Sequence, residues 1–134
     1  MDMPGLIERM RQRYAQPESE AARIVEREVI GGNVGANGYT TLAQAERLLE
    51  QLSLSRRALL LDVGAGRGWP GLHLAARSGC RVVLTDVPEP ALRLAMKSAR
   101  RRRLYGRCSY VLADGAHLPF RDGLFHATVH TDTL

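Results

Sequence analysis

Cysteine and aromatic residues are scarce in this chain: two cysteines, one tryptophan, two phenylalanines and four tyrosines among 134 residues. Cys80 and Cys108 are too few for a disulfide-stapled secreted scaffold, and their spacing matches no metal site. Each opens a predicted strand, where cysteine serves as a small buried apolar residue. No apolar run is long enough to cross a bilayer, because the segment from Leu59 is interrupted by Asp62, Arg67 and His73. The opening residues MDMPGLIERMRQRY have no continuous apolar core and no small-residue cleavage site. No signal peptide is therefore expected, and the cytoplasm is the expected compartment. Internal repeats and low-complexity linkers are absent too.

What is present is an ordinary globular composition, 45% hydrophobic and 25% charged. A single domain of this length buries roughly two-thirds of the surface its unfolded chain exposes. The formal net charge is +5, and much of the excess sits in KSARRRRLYGR, residues 97–107. That stretch reads as the solvated end of a helix, where cations complement the helix dipole. The alternative is a phosphate-binding patch built on Arg100, Arg101, Arg102 and Arg103. It lacks interleaved aromatics beyond Tyr105, so nucleic acid is not the expected partner.

Leu6, Ile7, Met10 and Tyr14 recur at helical spacing and predict an amphipathic helix ending before QPES. Ile24, Val25, Val29 and Ile30 predict a second, starting near Ser19. GGNVGANGYTT, residues 31–41, is too rich in glycine and asparagine for a regular element and reads as a loop. Thr41 with Gln44 forms a capping-box signature ahead of a stripe of Leu42, Ala45, Leu48, Leu49 and Leu52.

ALLLDV is a short, continuously apolar run, as in a parallel strand covered on both faces. From there strands and helices alternate: a helix from about Trp69 to Ser78 and the strand RVVLTDV come first. A helix from about Pro88 to Leu104, the strand CSYVLAD, the loop GAHLPFRDG and a final strand LFHATVH follow. Such alternation predicts an α/β fold with right-handed crossovers and a parallel sheet.

Asp62, Asp86 and Asp114 each end a predicted strand, and a glycine loop follows the first. Ligands of open parallel sheets bind outside those strand ends, at the switch point beside the first strand. A dinucleotide fingerprint requires Gly-x-Gly-x-x-Gly. Gly64 and Gly66 match it, but Trp69 stands at the third position and the glycine falls one residue early, at Gly68. No Gly-Lys-Ser/Thr follows, which removes the P-loop reading.

The run Asp-Val-Gly-Ala-Gly-Arg-Gly resembles the first motif of class I S-adenosylmethionine-dependent methyltransferases. RVVLTDV is similar to that family's second strand, LADGAHLPF to its third motif, and DGLFHATVHTDTL to its fourth strand. The resemblance implies a Rossmann-like parallel sheet of order 3-2-1-4 over residues 42–134. Residues 1–41 would form an N-terminal helical cap with a lid-like glycine loop. It further implies S-adenosylmethionine as cofactor, with Gly64, Ala65, Gly66 and Gly68 approaching its methionine portion. Asp86, beside Val87, would bind both ribose hydroxyls. Asp114 would accept from the adenine amino group, and Gly115 and Ala116 would line the adenine pocket. Asp62 would steady the loop and attract the cofactor's amino group, and Tyr39 would bond its carboxylate. The implied activity is in-line methyl transfer to a small-molecule nucleophile, with no metal. The rivals are a nucleic-acid methyltransferase and a non-catalytic cofactor-binding module.

Two departures stand out. His126 replaces the family's usual Asp, and His130 stands where a small residue is common, a position from which it could accept a proton. Trp69 reads as a packing residue, and His73 and His117 as surface or helix-face residues. The family's domain continues for three more strands, so the fourth strand is expected to be an open apolar edge. That edge invites pairing, including a homodimer.

Overall fold

The computed structural model describes residues 2–36 and 38–131; the last residues of the fourth-strand motif, 132–134, lie outside them. Three helices lead the chain: α1 (Met3–Ala15), α2 (Glu20–Ile30) and α3 (Leu42–Leu52). Each begins where a short polar side chain satisfies an orphan amide. Asp2 accepts from the Gly5 amide at 3.0 Å and Ser19 from that of Ala22 at 3.1 Å. Thr41 and Gln44 close a full capping box.

The alternating part follows as β1 (Leu59–Val63), α4 (Gly71–Ser78), β2 (Arg81–Asp86), α5 (Glu89–Arg101), β3 (Cys108–Leu112) and β4 (Ala127–Val129). All pairings are parallel and the strand order is β3-β2-β1-β4, as the motifs implied. Leu60 of β1 pairs with Val82 of β2, and Asp62 with Leu84, so these four alternate onto one face of the sheet. That face builds the main core with Leu72, Leu74 and Ala75 of α4 and Leu92, Ala95 and Ala99 of α5. Leu60, Leu72, Leu74, Leu84 and Leu104 are each less than 2% exposed. Every such burial contributes about 1.5–3 kcal/mol. Cys80 is fully buried in this core and Cys108 packs at its margin; both are free thiols.

Four expectations are corrected. The α4 helix starts at Gly71 rather than Trp69, because the Asp62 carboxylate takes the Gly71 amide at 3.0 Å and fixes the first turn there. The α5 helix ends at Arg101, where Arg103 turns to a φ of 56°. The strand β4 is shorter than LFHATVH. At its start the His126 amide donates to the Leu59 carbonyl at 2.9 Å, and the His126 imidazole Nδ1 accepts from the Leu59 amide at 2.9 Å, so a side chain supplies the acceptor for half of that rung.

The fourth correction concerns α2. Ile30 is buried, but Ile24, Val25 and Val29 are 51%, 59% and 55% exposed. The face turned inward is the one Ile30 shares with Glu26, four residues earlier, and Glu26 is only 8% exposed. Its carboxylate is bound by three loop amides, and that demand sets the rotation of the helix. Among the described residues, no helix is long and apolar enough to cross a membrane.

Candidate functional site

The carboxyl ends of β1, β2 and β3 open into a cleft of about 820 Å³. Its floor is Val63 and Gly64 from the end of β1, with Asp86 and Val87 from the end of β2. One wall is Ala113, Asp114, Gly115 and Ala116 after β3; His130 and Thr131 close the β4 side. Across the cleft stands α1, with Met3, Leu6, Met10, Arg13 and Tyr14.

Asp86 is the centre of the hydrogen bonding. Its Oδ2 accepts from the Gly66 amide at 2.7 Å and its Oδ1 from the Val87 amide at 2.8 Å. Gly66 reaches this position at a φ of 56°, where a side chain would be strained. Each carboxylate oxygen has two lone pairs, so both keep capacity for a further donor. Burial raises the Asp86 pKa, opposed by the two amides.

Asp62 lies beneath the cleft, 1% exposed. Its Oδ2 binds the Gly71 amide, while its Oδ1 is buried with no hydrogen-bond partner. Burial pushes its pKa up to about 8, with the charge of Asp86 adding to the shift. Gly71 has to be a glycine, because a Cβ there would collide with the Asp62 carboxylate. Gly68, the early third glycine, leaves room for Leu72 and Ala95: a Cβ would sit 2.5 Å from one and 3.4 Å from the other.

Asp114 is solvent-exposed, and its Oδ1 accepts from the Ala116 amide at 3.0 Å, which holds its pKa below the usual carboxylate value. The glycine after it lies close over β1, since a Cβ on Gly115 would stand 3.0 Å from Val63 Cγ1.

Of the residues expected at the site, Gly64, Asp86, Val87, Asp114, Gly115, Ala116 and His130 line the cleft together. Asp62, Ala65, Gly66 and Gly68 lie behind this lining. Ala65 is 1% exposed and donates its amide to the Thr85 carbonyl at 2.9 Å, so it secures the loop. Tyr39 is 82% exposed and outside the lining. The tyrosine that faces the cleft is Tyr14, whose pKa is raised by burial and by the nearby charge of Asp86. Its place in the apolar stripe of α1 concealed it in the sequence, where it reads as core.

Trp69 packs as expected, its ring buried beside Ile30 and Ala45 and its Nε1 donating to the Thr40 carbonyl at 2.9 Å, but it also lines the cleft, which was not expected. A second tether from the same turn was not expected. Arg67 donates to the Ala36 carbonyl at 2.8 Å and pairs with Glu18 at 3.1 Å. The glycine loop is further held by Glu26 Oε1, which accepts from the amides of Val34, Gly35 and Ala36 at 2.7–3.0 Å. The loop is thus pinned to the β1–α4 turn; it reaches the cleft at Gly38, while α1 supplies most of the opposite wall. His73 is not a free surface residue: it pairs with Glu46 of α3 at 2.6 Å. His117, 84% exposed, is at the surface as expected.

This geometry rejects a pyrophosphate in the β1–α4 turn. The first amide of α4 already binds a carboxylate, Asp62, where a dinucleotide site would present free N–H groups to an anion. Comparison with known proteins agrees. Residues 60–134 match the model of a methyltransferase domain. The chain belongs to the methyltransferase domain family, of the class I S-adenosylmethionine-dependent kind. It is 39% identical over 80 residues to methyltransferase GfsG of Streptomyces halstedii, covering 60% of this chain and 29% of that protein. It is 33% identical over 100 residues to rice 24-methylenesterol C-methyltransferase 2, covering 70% and 28%. This methyltransferase-family chain therefore spans less than a third of those relatives' length.

Among solved structures, it superposes on an S-adenosylmethionine-dependent methyltransferase so described from Methanococcus maripaludis. The TM-score is 0.67 at 15% identity, over 88% of this chain and 53% of that one. A methyltransferase from Thiobacillus denitrificans, solved with S-adenosylhomocysteine, gives 0.60 at 18% identity, over 87% and 45%. Both show the fold.

Proposed function

We propose that this chain binds S-adenosylmethionine in the cleft above Gly64 and Asp86 and serves methyl transfer to a small-molecule nucleophile. The observation that carries this reading is Asp86, held by two amides at the end of β2 and facing the cleft with unspent acceptor capacity. A carboxylate fixed in that way suits a vicinal diol, which supplies two charge-assisted hydrogen bonds.

The residues present fit the rest of the cofactor. Asp86 and Asp114 place negative charge on the lining of a cleft in which Arg13 is the one lysine or arginine among the described residues. A ligand bearing ammonium and sulfonium groups would balance that charge, and a pyrophosphate would add to it. Gly115 and Ala116, with Val63 and Val87, offer a flat apolar slot with Asp114 at its rim. Bound S-adenosylmethionine supplies a methyl group already activated on its sulfur. What this chain adds is alignment and exclusion of water, and alignment alone can supply about 7–11 kcal/mol of barrier reduction. His130 lines the β4 side of the cleft, where it can accept a proton from the attacking group.

A small acceptor is supported by α1, whose Met3, Leu6, Met10 and Tyr14 line the cleft opposite the strand ends. The relative named for a sterol is consistent with it. The basic residues of α5 line a different cavity that shares no residue with this one, which argues against a nucleic-acid acceptor.

Calorimetric titration with S-adenosylhomocysteine and with NAD tests the reading. The expected result is binding of the first alone, strongly weakened in Asp86→Ala. Binding of NAD, or indifference to that substitution, overturns it.

A further inference from the structure

On the far side of the glycine loop lies a second cavity, of about 710 Å³. The α1–α2 connection, α2, the glycine loop, the β1–α4 turn and α5 line it, and it opens to solvent. Its volume is in the range of small-ligand sites. Its charge is lopsided. Five cations line it, Arg23, Arg67, Lys97, Arg101 and Arg102, against two carboxylates, Glu18 and Glu26.

Both carboxylates are already committed. Glu18 pairs with Arg67 at 3.1 Å and with Arg23 at 3.8 Å. Glu26 is bound by the amides of Val34, Gly35 and Ala36. Lys97, Arg101 and Arg102 have no ion-pair partner among the described residues. Lys97 and Arg101 share a face of α5, one turn apart, and Arg102, the residue that caps the helix, joins them on the lining. The dipole at the end of α5 favours cations there, but it does not explain why they line the same cavity as Arg23 and Arg67 from other segments. Half-burial of Arg102 beside Arg101 lowers its pKa, as expected where like charges crowd without a counter-ion.

We propose that this cavity is a second ligand site, for a small phosphorylated molecule. Arginine forks and a lysine match phosphoryl oxygens in both charge and geometry. The Ser98 hydroxyl, on the same lining, adds a neutral donor. Nucleic acid is the weaker fit, since the lining contains no aromatic side chain on which a base could stack. This inference stands apart from the methyl-transfer reading, because the two cavities share no lining residue.

Titration of the protein with inorganic pyrophosphate at low salt tests it, with a single-stranded RNA oligonucleotide as a second probe. Three variants are compared: wild type, Lys97→Gln/Arg101→Gln, and Arg121→Gln, an exposed arginine elsewhere. Lys97 and Arg101 are both exposed, so the double variant keeps its core. The expected result is saturable one-to-one pyrophosphate binding, weakened about tenfold or more in the double variant. Arg121→Gln should bind as wild type does, and S-adenosylhomocysteine affinity should be the same in all three. Absence of saturable pyrophosphate binding overturns the proposal. So does an equal loss in Arg121→Gln, which would mean diffuse charge, or tighter binding of the RNA that the double variant abolishes.

Discussion

Asp86 Oδ2 accepts from the Gly66 amide at 2.7 Å, twenty residues back along the chain, and this bond joins the end of β2 to the glycine turn after β1. The same carboxylate floors the cleft, so loop geometry and ligand chemistry depend on one side chain. Asn is not a mild replacement here. Both Asp86 oxygens face backbone N–H donors, and an amide would set its own NH₂ against one of them. Asp86→Asn and Asp86→Ala are both expected to weaken S-adenosylhomocysteine about a hundredfold, by loss of two charge-assisted bonds. Calorimetry measures this directly. Asp114→Asn, at an exposed position, should cause a smaller loss.

Asp62 gives the stability a distinct pH dependence. Its folded pKa is pushed from 3.8 up to about 8 by burial. Between those values the folded state holds a proton that the unfolded state has released, so stability falls as pH rises. The contribution is whole below pH 4 and is lost as pH rises toward 8. The slope is bounded by one proton, about 1.4 kcal/mol per pH unit. Asp62→Asn should flatten urea-derived stability across pH 5–8. An unchanged slope would assign the effect elsewhere.

Ligand affinity should run the other way. Burial raises the Asp86 pKa, and a ligand whose hydroxyls donate to its carboxylate favours the ionised form. S-adenosylhomocysteine should therefore bind more tightly as pH rises and Asp86 ionises, with proton release on binding. Titration in two buffers of different ionisation enthalpy reads that release.

Glu26 is the organiser of the cap. Glu26→Ala leaves three loop amides without their acceptor and should destabilise the protein by about 2–3 kcal/mol. Glu26→Gln retains an acceptor oxygen and should lose less. Denaturant melts give the energies, and faster tryptic cleavage at Arg23 and Arg27 in the alanine variant would locate the loosening in α2.

Tyr14 and Tyr39 can be told apart by removing one oxygen from each. Tyr14→Phe should weaken S-adenosylhomocysteine by about tenfold, the range of one hydrogen bond to a charged group, with little change in melting temperature. Tyr39→Phe, at a side chain 82% exposed, should change neither.

The sheet and its order were legible in the sequence because local pattern and motif order agree. Short apolar runs ending in Asp62, Asp86 and Asp114 mark parallel strands, and a crossover has one favoured hand. The cleft floor was legible for the same reason, since strand ends in such a sheet converge. The β4 boundary was hidden, because nothing local announces that the His126 ring supplies an acceptor for the rung at Leu59. Tyr14 was hidden as well, since an amphipathic stripe has the same spacing whether it faces a core or a ligand.

By itself the sequence determined the short apolar strands, the glycine turn and the acids at its mouth, all properties of neighbours along the chain, while the strand order was what the resemblance of its motifs implied. Tertiary structure alone decided which face of α2 turns inward, which tyrosine meets Asp86, and that Lys97, Arg101 and Arg102 front a cavity. Those outcomes depend on partners supplied from distant segments: Val34, Gly35 and Ala36 for Glu26, Asp86 for Tyr14, and the cap for α5. A buried carboxylate has to find its donors, and that requirement outweighed the apolar pattern of the helix carrying it.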